Sequence, residues 1–136
     1  MFDFSAAEFV DWDAGLPDGG LELLSHRYQL GELSVAIVVH SKGPDRQHAY
    51  EILTKPLWFC VFEDERQQAS LIRQVSTAGV ALRMFEVRSS PLLAGLAAAE
   101  PLFSWPEGTA GHWVLLGAES CCHIIAAEAP TLRRVY

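Results

Sequence analysis

Apolar and polar residues alternate most cleanly over 33–41. Leu33, Val35, Ile37 and Val39 share one face, and Ser34, Ala36, Val38 and His40 share the other. A period of two with one fully apolar face predicts a half-buried strand. Residues 21–30 read as its partner, and the short break at Leu30-Gly31-Glu32 makes the pair a hairpin. Leu57-Trp58-Phe59-Cys60-Val61-Phe62 is apolar on both faces. That pattern predicts a central strand covered on both sides. Residues 112–116 and 121–127, parted by Gly117-Ala118-Glu119-Ser120, predict a second hairpin.

Helical signals stand between these strands. Ser5 and Glu8 have the spacing of a capping box, which predicts a short helix over 6–12 with Phe9 and Trp12 on one side. Leu16-Pro17-Asp18-Gly19-Gly20 is a stop. Asp64 and Gln67 can cap a helix of about fourteen residues, with Leu71, Ile72 and Val75 as its apolar stripe and Gly79 just past its end. A strand over 80–87 follows. Strand, helix and strand in that order predict a right-handed crossover between parallel strands. Ser90 as cap and Pro91 at the first helical position open another helix, closed by Glu100-Pro101. Residues 47–53 are ambiguous and could form a short helical turn, and 41–46 and 102–111 read as loops. The expectation is a single α+β domain over 1–136: a mixed, mostly antiparallel sheet of about six strands, two main helices and a short N-terminal helix.

Size and composition agree with one domain. The chain has 136 residues, half of them hydrophobic, enough for a core without disulfides. Seventeen acidic residues against ten basic ones leave a net charge of −7. That excludes a phosphate-binding surface as the main activity, so no nucleic-acid partner is expected. No apolar run approaches the ~18 residues of a membrane span, and Met1-Phe2-Asp3-Phe4 lacks the basic start of a signal peptide. Three cysteines, Cys60, Cys121 and Cys122, make a poor disulfide framework and suit a reducing cytoplasm.

Candidate chemistry is sparse. There is no G-x-S-x-G, no G-x-G-x-x-G and no P-loop. Glu63-Asp64-Glu65 could hold a divalent ion, but acidic residues ahead of a helix are foremost caps. Of five histidines, His26, His40, His112 and His123 fall on predicted strands and His48 between them. Facing strands could gather some of them, subject to a register that sequence does not fix. On a strand, Cys121 and His123 share a face and Cys122 does not. Two ligands do not make a zinc site, so no metal and no cofactor are expected.

Trp12 lies among acidic residues, and Trp105 in an irregular stretch beside Glu107. Aromatics in acidic surroundings suit an interface, where the ring anchors and the charge steers. The expected partner-binding set is Trp12, Asp11, Asp13, Trp105, Glu107, Glu63 and Glu65. Two functions compete on this footing. The first is a non-catalytic module that docks a basic protein, in the manner of the immunity proteins with which bacteria neutralise toxins, or an accessory protein. The second is a small enzyme or ligand- or metal-binding domain using the strand histidines and the 63–65 carboxylates. Its mark would be two histidines meeting a carboxylate or Cys121. An edge strand of either hairpin could also pair two copies as a homodimer.

Overall fold

A computed structural model describes residues 3–12, 15–41, 47–64, 69–78, 83–99 and 110–135. Its nine strands are β1 (Glu8–Asp11), β2 (Gly20–Gln29), β3 (Glu32–His40), β4 (Gln47–Thr54), β5 (Leu57–Asp64), β6 (Met84–Arg88), β7 (Gly111–Leu116), β8 (Ser120–Ala126) and β9 (Thr131–Val135). The helices are α1 (Ala69–Ala78) and α2 (Pro91–Ala99). The strands make two antiparallel sheets, ordered β2-β3-β4-β9 and β1-β6-β7-β8-β5. The expected single six-stranded α+β sheet is therefore wrong: the described residues are mostly β, and helix is the minor part.

Both predicted hairpins form. Leu30 and Gly31 turn β2 into β3 with positive φ at both positions, 52° and 79°, the two-residue turn whose twist matches that of the strands. The pleat of β3 runs as its pattern predicts: Leu33, Val35, Ile37 and Val39 are fully buried. A register shift between Leu23 and Ser25 turns Leu24 outward, the effect of a bulge. Gly19 precedes β2 at φ 141°, where a Cβ would lie 2.7 Å from the His40 carbonyl carbon. The chain leaves this sheet after β4 through the cis Lys55-Pro56 bond, builds the second sheet, and returns as β9 beside β4.

Four further expectations are corrected. The 6–12 segment is no helix: Asp3 Oδ1 accepts from the Ser5 amide, Phe4 O accepts from Ala7, and Glu8–Asp11 pair with β6. Residues 47–53 lie in β4. The 57–62 run forms β5, which among the described residues pairs with β8 alone and is the outermost strand of its sheet. The crossover does not join parallel neighbours either. β5 and β6 are separated by β8 and β7, and three successive antiparallel pairings set them antiparallel. Asp64 is the last residue of β5, and α1 is described from Ala69; residues 65–68, on which its capping would depend, lie outside the described residues. Gln67 and Gly79 lie outside the described residues.

The five-stranded sheet is the middle layer. Met84, Trp113, Leu115, Cys122 and Ile124 pack against the four-stranded sheet. Phe85, Val87, Val114, Leu116 and Cys121 pack on the other side against Phe4 and against Leu71 and Val75 of α1. Burial on both faces explains why β7 and β8 read as nearly unbroken apolar runs. Among the described residues, no helix is long and apolar enough to cross a membrane.

Candidate functional site

On the helix side of the middle sheet, the apolar packing is interrupted by a line of polar groups. The β7–β8 register places Val114 opposite His123, so His112, two residues earlier, lies diagonal to it on the same face. Across β8, Glu63 of β5 stands opposite Cys121 and diagonal to His123. One diagonal thus crosses three strands, from His112 through His123 to Glu63. At its inner end the β6–α2 junction brings in Ser90. Ser89 turns the chain there with φ 54°.

These groups touch in sequence. Ser90 Oγ lies 2.7 Å from His112 Nδ1. His112 Nε2 lies 2.8 Å from His123 Nδ1. His123 Nε2 stands 3.6 Å from Cys121 Sγ and 3.7 Å from Glu63 Oε1. Ser90 Oγ also accepts from the Leu93 amide at 3.2 Å, so it caps α2 as the sequence predicts. Phe4 covers the line, stacked on His123 at 6.1 Å between centroids and tilted over His112. His112, His123, Cys121 and Ser90 are buried, and the Glu63 side chain, 24% exposed, is the most open to solvent of the five.

Burial sets the charge states. It drives His112 well below the ordinary histidine range, helped by the neighbouring His123. It takes His123 down to about 4. Both rings are therefore neutral at pH 7, each with one N–H and one lone pair. Burial and the Glu63 carboxylate raise the Cys121 thiol, which stays protonated. Glu63 itself is raised by its partial burial. Neutral rings joined in this way have two consistent hydrogen patterns. In one, Ser90 donates to His112, His112 to His123, and His123 points its Nε2–H at Glu63. In the other, every donor and acceptor along the line is reversed. Exchange between them carries a proton from one end of the line to the other and leaves no charge on either ring.

The other histidines lie apart. His26 stacks on Phe62 at 4.0 Å, His40 meets Glu22 at 2.7 Å, and His48 meets Ser41 at 3.2 Å. Among the described residues no three His, Cys, Asp or Glu side chains are grouped so as to hold a metal ion. Of the expected partner-binding set, Asp11 is exposed on β1, while Trp12 is half-buried against the core between the sheets. Glu63 turns toward His123. Asp11 and Glu63 lie on the two outermost strands of one sheet, β1 and β5, and so belong to no common patch. Asp13, Glu65, Trp105 and Glu107 lie outside the described residues.

Sequence reasoning named both imidazoles but did not join them. The hairpin would have joined them: pairing Leu116 with Cys121 across the short loop already puts His112 and His123 on one face. From the sequence Ser90 reads only as a cap, and Glu63 as a capping, ion-binding or partner-binding carboxylate, or as one of the 63–65 carboxylates set beside the strand histidines. The chain matches no family model, no curated protein and no solved structure.

Proposed function

We propose that this domain is a small enzyme or ligand-handling protein whose working centre is the Ser90–His112–His123–Glu63 line. The observation that carries the reading is the hydrogen-bonded run from a buried hydroxyl through two imidazoles, with a partly exposed carboxylate 3.7 Å beyond it. Apolar side chains would fill the same space without the desolvation that polar groups suffer there. Perturbed titratable groups gathered in one place are also what acid–base sites require. Three free cysteines suit a reducing cytoplasm.

A thermal-shift screen of small carbonyl and carboxylate compounds tests this. Ligands that act at the line raise Tm in the wild type, and the rise is lost in Glu63→Gln. If every shift survives both Glu63→Gln and His123→Gln, the line only ties α2 to the sheet.

A second reading, docking of a basic protein partner, draws on Glu8 and Asp11, both exposed along the outermost strand β1. Reversing both charges would then abolish binding to a cationic partner while leaving Tm within about 2 °C of the wild type.

A further inference from the structure

We propose that Ser90 is a nucleophile that accepts a small acyl group from an ester or thioester and passes it to water, its proton leaving through His112 and His123 to Glu63. This deepens the acid–base reading above and rests on it. Two observations converge on Ser90. Its oxygen lies 2.7 Å from an imidazole nitrogen, the spacing of a nucleophile and its base. It sits at the N-terminus of α2, where the Leu93 amide already donates to it and the helix dipole favours negative charge. Capping alone does not account for what stands behind it, because the Leu93 bond needs no imidazole.

The two rings account for the direction of transfer. Neither holds a charge readily in its buried setting, so a proton taken by His112 must leave it at once. As Ser90 Oγ bonds to the acyl carbon, its proton moves to His112 Nδ1. The His112 Nε2 proton moves to His123 Nδ1, and the His123 Nε2 proton moves to a Glu63 oxygen. That last gap closes by about 1 Å through rotation of the partly exposed Glu63 side chain, a tightening usual when substrate binds. Collapse of the adduct expels the alcohol or thiol, which takes its proton from His112 Nδ1 as the line reverses. Water then attacks the acyl-Ser90 ester by the same route, releasing the carboxylic acid and restoring the serine. Ser90 is only 7% exposed, a setting that favours a small acyl group. Cys121, fully buried with a protonated thiol, does not compete.

The test uses p-nitrophenyl acetate with the full chain, following nitrophenolate release and mapping the acetylated peptide by mass spectrometry. The expected result is one acetyl group on Ser90, absent in Ser90→Ala. In Glu63→Gln the rate falls ~100-fold, and the part of the acid loss of rate that protonation of Glu63 causes disappears with it. Glu63→Gln changes a partly exposed side chain, so it decides the matter even if Ser90→Ala does not fold. Acetyl groups on His112 or His123 with Ser90 unmodified overturn Ser90 as nucleophile and leave the acid–base centre standing. A wild-type rate equal to that of Glu63→Gln, with no acetyl group on any member of the line, overturns the proposal. If the line's variants then change only Tm, the acid–base reading falls as well.

Discussion

Gly111 shows how one hydrogen atom can fix a core. A Cβ there would stand 2.7 Å from Cζ3 of Trp113 and closer still to Cη2, and Trp113 is buried between the two sheets. Gly111→Ala should cost about 1–3 kcal/mol through overpacking, seen as a clearly lower Tm; an unchanged Tm would mean the indole has free space. Leu30 is the converse. Its φ of 52° suits Asn far better than Leu, and at 91% exposure its side chain contributes no packing. Leu30→Asn should therefore stabilise by ~0.5–1 kcal/mol in a urea titration. His123 imposes a pH dependence of definite sign. Its folded value near 4 lies below the ordinary 6.5, so between these values the unfolded chain binds the proton and the folded chain does not. Its contribution is complete above about 6.5 and is lost as pH falls toward 4, and His112 acts in the same direction. Glu63, raised in the fold, works oppositely: the folded chain takes up its proton first. For His123 alone, stability should fall by about 2 kcal/mol from pH 7 to pH 5. The slope of the urea midpoint over that range should be smaller in His123→Gln than in the wild type; equal slopes would show that the ring is accessible to water.

Among the elements, α2 meets the sheet through the Ser90–His112 contact beside its buried Leu92. Ser90→Ala removes the helix cap, worth about 1 kcal/mol, and leaves His112 Nδ1 buried without a partner, worth a further ~1–3 kcal/mol. A measured loss near 1 kcal/mol alone would show that His112 finds another partner. The hairpins were legible in the chain because alternation and tight turns are local signals. β1 was not, since Ser-x-x-Glu followed by spaced aromatics serves a helix and a four-residue strand alike. β4 was obscured by its mixed composition, Gln47 to Thr54. β5 was misplaced for a different reason: an apolar run reports contact with other side chains, not the number of hydrogen-bonded neighbours. Seven of its eight residues are half-buried, yet it lies at a sheet edge. The histidine pair was within reach of hairpin register. Ser90 and Glu63 reach it from separate elements, and no local pattern records that meeting.

At the scale of the whole molecule, the middle sheet carries apolar side chains on both faces, so neither the outer sheet nor the helix layer can leave without exposing core. Trp113 reports on the contact between the sheets, and backbone dichroism on all three layers. The two probes should give one coincident urea transition, and separated midpoints would show a layer unfolding by itself. The gap between β5 and β6 has a consequence for synthesis. The ribosome delivers both strands before the hairpin that separates them, and β4 likewise waits for β9. A nascent chain halted at Ala110 thus holds two sheets that cannot close, with apolar edges open to chaperones and to one another. The core between the layers can close only once β7, β8 and β9 have emerged.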